Sequence, residues 1–92
     1  ALTAPQLLDL LAWDEVSFLA HTEGSAIRRI GHARWLRNVA LAAGNALRGE
    51  QGHGRGITEA EAMALQKALI RWQNHPDPVV QEQVAWSLAQ RA

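Results

Sequence analysis

Ninety-two residues with nearly half of them apolar, no cysteine and equal numbers of acids and bases describe one small domain. That composition excludes disulfides, thiolate nucleophiles and iron–sulfur ligation by this segment. It leaves no apolar run near the roughly 18 residues that a membrane span needs, and Ala1 to Gln6 lack the basic start and apolar middle of a signal peptide. The chain opens on Ala1 rather than Met, which gives the expectation of a fragment of a larger protein.

Ala and Leu dominate the apolar fraction, Tyr is absent and Phe18 is alone. This points to an all-α fold, because both abundant residues favour helices and few residues favour strands. Thr3 is placed to cap a first helix with Pro5 in its first turn, and Leu7, Leu8 and Leu11 give it one apolar face. A break is expected near Ala12 or Trp13. Asp14 then caps a second short helix, with Val16, Leu19 and Ala20 expected to face one way. Glu23, Gly24 and Ser25 read as a turn.

Ser25 to Ile30 reads as one loose helical turn, and Gly31 separates it from a helix over about His32 to Asn45. Trp35, Leu36, Val39, Ala40, Ala43 and Leu47 form its buried rows. Arg34, Arg37, Asn38, Leu41 and Asn45 form a second, mostly polar row. Gly44 fits either a helix terminus or a point of close packing, and a terminus within a few residues of it is the expectation. Residues 48–57 contain four glycines and are expected to be a flexible Gly-rich loop.

Thr58 and Glu61 make a capping-box pattern for the next helix, whose inner face carries Ala62, Leu65, Ala68, Leu69 and Trp72. Asn74-His75-Pro76 is expected to end it. Asp77 caps a last helix with Pro78 in first position, and Val80, Val84 and Leu88 form its row, flanked by Ala85 and Trp86. Long helices joined by short connectors are the unit of α-solenoids. The fold class is therefore all-α, a HEAT-like helical bundle of about five helices, with the two short N-terminal helices as a cap and residues 1–92 as a single domain.

Charge is uneven along the chain. From Gly24 to Gly49 there are five arginines and no acid. Arg34 and Arg37 share a helix face, with Arg28 and Arg29 just upstream, and guanidinium groups offer bidentate donors to phosphate. Asn38 adds a polar group able to bond sugar or base edges. Pairing of these arginines with Asp9, Asp14, Glu15 and Glu23, to pin the N-terminal helices, accounts for the same pattern. Trp35, Trp72 and Trp86 lie on apolar rows and are expected in the core; Trp13 sits at a junction. His21, His32, His53 and His75 lack metal-ligand spacing. His53-Gly54-Arg55-Gly56 fails as a phosphate-binding loop, having no preceding strand and no Gly-Lys-Ser. Ser17, Ser25 and Ser87 have no His–acid partners nearby in sequence. No catalytic constellation is visible.

Two stretches go further. Gly24-Ser25-Ala26-Ile27-Arg28-Arg29-Ile30-Gly31, followed by Arg34-Trp35-Leu36-Arg37-Asn38-Val39-Ala40-Leu41-Ala42-Ala43-Gly44-Asn45, resembles a segment of the epoxyqueuosine reductases. His75-Pro76-Asp77-Pro78-Val79-Val80-Gln81-Glu82-Gln83-Val84-Ala85-Trp86-Ser87-Leu88 resembles the HEAT-like ending of the same family. It departs from it at Gln83, where the family pattern has His, and in a longer glycine-rich stretch after Asn45. Together the two stretches cover about a third of the chain.

The resemblance implies a larger cytoplasmic oxidoreductase in tRNA queuosine biosynthesis, with a cobalamin and two 4Fe-4S clusters held outside this segment. It implies that this segment is the non-catalytic C-terminal domain, with tRNA and the N-terminal catalytic domains of the same chain as its partners. Arg28, Arg29, Arg34, Arg37 and Asn38 are then the candidate RNA contacts. The rival reading is a HEAT-like protein–protein interaction module that does not touch RNA.

Overall fold

A computed structural model describes residues 2–49 and 56–91 of the chain. Among them there are five α-helices, one 3₁₀ turn and no strand. The helices are α1 (Ala4–Leu11), α2 (Glu15–His21), α3 (Gly31–Arg48), α4 (Glu59–Ile70) and α5 (Pro78–Ala89), with the 3₁₀ turn over Ala26–Ile30 between α2 and α3. Residues 50–55, the greater part of the Gly-rich stretch 48–57, lie outside the described residues.

The helix starts follow the local chemistry. Thr3 caps α1 in a reciprocal box with Gln6, and Thr58 caps α4 in a reciprocal box with Glu61. Asp14 caps α2 through the Ser17 amide at 2.8 Å, and Asp77 caps α5 through the Val79 amide at 2.8 Å, with Pro78 next. Each side chain satisfies an amide that the first helical turn leaves without an intrahelical acceptor.

The ends depart from expectation in two places. Helix α3 runs on to Arg48 and stops at Gly49, which takes the left-handed φ of 79° that a Cβ disfavours. Gly44 is therefore no terminus: it is buried in mid-helix where α3 crosses α5, and a Cβ there would lie 2.9 Å from the Ser87 backbone. Helix α4 stops at Ile70, and Arg71 to Asn74 form turns before His75.

The core gathers Leu7 and Leu11 of α1, Phe18 of α2, Trp35, Leu36, Val39, Ala40 and Ala43 of α3, Leu65 and Leu69 of α4, and Val80 and Val84 of α5. Helix α3 is the centre of the packing: α5 makes the most extensive contact with it, and α1 lies against both α3 and α4. Ser87 is wholly buried at the α3–α5 crossing, where its hydroxyl donates to the Ala40 carbonyl at 2.7 Å. That bond spares the core an unsatisfied polar group.

Two facings differ from the sequence reading. In α2 it is Phe18 that turns inward, whereas Val16, Leu19 and Ala20 are exposed, Val16 by 77%. The helix has only seven residues, and one bulky aromatic fills its contact with α3 better than three smaller side chains. On α5, Ser87 takes the buried position while Ala85 and Trp86 are exposed, because only a small side chain fits opposite Gly44.

The N-terminal helices are held by a latch. The last carbonyls of α1 have no intrahelical donors. The Trp72 indole N–H donates to the Leu11 carbonyl at 2.8 Å, Arg71 Nη1 donates to the Ala12 carbonyl at 3.1 Å, and His32 Nε2 donates to the Trp13 carbonyl at 3.0 Å. Arg71 also lies over the Trp72 ring at 4.6 Å. A cation at this helix end suits the negative pole of the helix dipole.

Asp14 carries a pH signature of this corner. The hydrogen bonds from Ser17 hold its carboxyl below the usual value, with Arg71 and His32 adding attraction. A depressed carboxyl stabilises the fold above its unfolded-state value, and that contribution is lost as pH falls through the folded-state value. Asp14→Asn, which keeps a capping oxygen, is therefore expected to flatten the acid limb of the stability-versus-pH curve while leaving far-UV circular dichroism unchanged. Parallel acid limbs for the two proteins would refute this.

Candidate nucleic-acid interface

The 3₁₀ turn begins at Ser25, whose hydroxyl accepts from the Ile27 amide at 3.2 Å. It ends at Gly31, whose φ of 82° lets the chain swing directly into α3. An L side chain at that φ is strained, so the glycine fixes the angle between turn and helix. The turn buries none of its residues, and Arg28 and Arg29 stand exposed on it. They border an open depression of about 620 Å³ with Gly24, Ser25 and Ala26.

Arg34, Arg37 and Asn38 are exposed along α3. Arg34 and Arg37 border a cleft of about 180 Å³ with Ala33, Asp77, Val79 and Val80. Arg37 continues into a second cleft of about 370 Å³, formed with Leu41, Val79, Glu82, Gln83 and Trp86. The structure thus groups Arg28 with Arg29 and Arg34 with Arg37; Asn38 is exposed beside the second pair and borders neither cleft.

The alternative reading required these guanidiniums to pair with the N-terminal acids. Among the described residues no ion pair joins Arg28, Arg29, Arg34 or Arg37 to Asp9, Asp14, Glu15 or Glu23. Arg71, Trp72 and His32 hold the N-terminal helices instead. The ion pair described, Arg91 with Glu59, ties the end of α5 to the start of α4. All four arginines are exposed, and among the described residues none of them is in an ion pair.

Arg71 and Trp72 were not marked as functional by the sequence, and nothing in it marks them as partners of α1. Both follow the end of α4, and their acceptors lie some sixty residues earlier in the chain.

The other candidate chemistry is taken up structurally. His21 stacks on Trp13 with ring centroids 4.0 Å apart and contacts the Ser17 carbonyl at 2.7 Å through Nδ1. His75 Nδ1 accepts from the Asp77 amide at 3.0 Å. His53 lies outside the described residues. No three of the described His, Asp and Glu side chains gather to hold a metal ion. No described helix is long and apolar enough to cross a membrane.

The tryptophans divide. Trp35 is buried against Phe18 and stacks on Trp13, and Trp72 is half-buried in the latch. Trp86, expected in the core, is 38% exposed and borders the larger α3–α5 cleft. The sequence row misplaces it because a helix position one step from a buried residue lies on the shoulder of the interface.

No family model matches the chain, and no solved structure matches it. Among curated proteins, the epoxyqueuosine reductase of Alicycliphilus denitrificans is 53% identical over 89 residues, which is 97% of this chain and 23% of that protein. The epoxyqueuosine reductase of Escherichia coli is 46% identical over 90 residues, 98% of this chain and 20% of that protein. That of Yersinia pestis is 71% identical over 45 residues, 49% of this chain and 11% of that protein. The chain thus spans about a fifth of the length of the relatives that match nearly all of it.

Proposed function

We propose, for a chain homologous over nearly its whole length to one stretch of the epoxyqueuosine reductases, that it is the non-catalytic C-terminal domain of such an enzyme and helps hold tRNA beside the catalytic part. In this reading residues 1–92 form a single HEAT-like domain of a cytoplasmic protein. The cobalamin and both 4Fe-4S clusters belong to the rest of the protein in this reading; this segment offers no cysteine to ligate a cluster. The N-terminal catalytic domains of the same chain are its second partner. The observation that carries the reading is the set of four solvent-facing arginines on the turn and on α3, none paired with an acid among the described residues. Guanidinium donors at the surface of the turn and of α3 suit a phosphate backbone. Asn38 completes the contact set.

The test replaces Arg28, Arg29, Arg34 and Arg37 together by glutamine in the full-length enzyme and measures tRNA affinity across a salt series. Each lost phosphate contact is expected to flatten the plot of log affinity against log salt by about 0.7–0.9. Affinity at low salt is expected to fall at least tenfold, with helical circular dichroism retained. Unchanged affinity and slope would make the arginines bystanders.

A second reading has its own observation. Met63 and Ile70 are 59% and 45% exposed on α4 and share an apolar surface with Ala64, Gln66 and Lys67. That face suits a protein contact, and docking of the domain onto the catalytic part without any RNA affinity would favour it.

A further inference from the structure

We propose that the cleft between α3 and α5 seats one unpaired nucleobase of an RNA strand, stacked on Trp86, with its phosphate held by Arg37. This inference rests on the RNA reading and names a base subsite within it.

The cleft is built from two facing stripes. Val79, Glu82, Gln83 and Trp86 follow i, i+3, i+4 and i+7 along α5, and Arg37 and Leu41 follow i, i+4 along α3. Its volume of about 370 Å³ lies at the lower end of the range of roughly 300–1,000 Å³ common for small-molecule sites. Trp13, Trp35 and Trp72 each have an aromatic neighbour, whereas Trp86 has no ring contact among the described residues and its indole N–H has no partner there. An exposed indole beside a guanidinium combines the two elements that hold single-stranded nucleic acid: a π face for the base and a cation for the backbone. Leu41 and Val79, 40% and 51% exposed, supply the apolar walls.

The cleft also contains an acid, which gives it a preference. Glu82 stands one helical turn before Trp86, and its carboxylate only accepts hydrogen bonds. Guanine presents two adjacent donors, N1–H and the N2 amino group, to such a carboxylate. Uracil presents the single N3–H. The subsite therefore prefers guanine to uracil, and Gln83 stands beside it with an amide able to donate or accept.

The test compares three short single-stranded RNAs on the full-length protein: UUGUU, UUUUU and a strand of the same length in which all five riboses are abasic. Affinity is read by fluorescence anisotropy, and contact with the indole by quenching of tryptophan emission. The guanine strand is expected to bind about tenfold or more tightly than the abasic strand, the size of one lost base–aromatic stack. Trp86→Ala is expected to erase that difference and most of the quenching, Trp86→Phe to keep most of the difference, and Glu82→Gln to remove the preference for guanine over uracil. Equal affinity for base-bearing and abasic strands, or a Trp86→Ala protein that still tells them apart, would overturn the subsite. If the abasic strand still binds and weakens with salt and with loss of the arginines, the RNA reading stands without the subsite. If no strand binds, both fall.

Discussion

Phe18→Ala is expected to cost about 3–5 kcal/mol, as truncation of a fully buried aromatic does. Phe18 is the one buried residue of α2, and its ring sits 5.1 Å from that of Trp35 and 5.7 Å from that of His32. Removing it leaves α2 with no apolar anchor and opens a void beside the stacked Trp13 and Trp35. Folded domains have about 5–15 kcal/mol of stability in all, and small ones sit at the low end. The variant is therefore expected to lose a large part of its stability, seen as a lower midpoint in guanidinium unfolding and as weakened near-UV tryptophan signals. Val16→Ala in the same helix is the control, since Val16 is 77% exposed and its loss is expected to change stability by less than about 0.5 kcal/mol. Equal effects for the two variants would mean that α2 faces the other way.

Gly44 sets the second large effect. An added Cβ would lie 2.5 Å from the Ser87 hydroxyl oxygen, 2.8 Å from its Cβ and 2.9 Å from its Cα. The last of these is backbone, so a rotamer change cannot clear it, and α3 and α5 must separate along their main contact. Overpacking of this kind costs about 1–3 kcal/mol, and displacing Ser87 also strains its bond to the Ala40 carbonyl. Helix propensity works the other way, since alanine is favoured over glycine by about 1 kcal/mol inside a helix. The clash is the larger, because it reaches backbone at the most extensive helix pair. Gly44→Ala is expected to lower stability by about 1–2 kcal/mol, a fall of several degrees in Tm for a domain of this size. Gly44→Leu is expected to prevent the native pairing altogether. Adding Ser87→Gly to Gly44→Ala removes the two closest side-chain atoms, so the double variant is expected to show a favourable coupling in a double-mutant cycle. A Gly44→Ala protein more stable than the parent would show that the crossing yields easily.

These two sites divide along what each kind of information contains. Local rules placed the helix starts: Thr3, Asp14, Thr58 and Asp77 cap where the spacing of Ser, Thr and Asp against Pro and Glu says they should, because a cap is made by residues within one turn of each other. The long amphipathic rows of α3 and α4 were legible for the same reason, as repetition over several turns leaves one reading of the inward face. The candidate arginines were legible too, as an acid-free run, and they stand at the surface.

What failed were choices between adjacent positions and between distant partners. Seven residues of α2 are too few for periodicity to fix its face, so the one large ring decided it. On α5 a serine displaces Trp86 from the interior because Gly44 on another helix leaves room only for a small side chain. The latch joins Arg71 and Trp72 to carbonyls of Ala12 and Leu11, about sixty residues away, and among the described residues the four arginines make no ion pair with the acids that one linear reading pairs them with. The chain alone thus determined its helices, the side-chain caps at four of their starts and its basic stretch, all products of neighbours in sequence. Which side chains meet solvent at the α3–α5 cleft was decided only in three dimensions, where close approach of two helices ranks side chains by size before hydrophobicity.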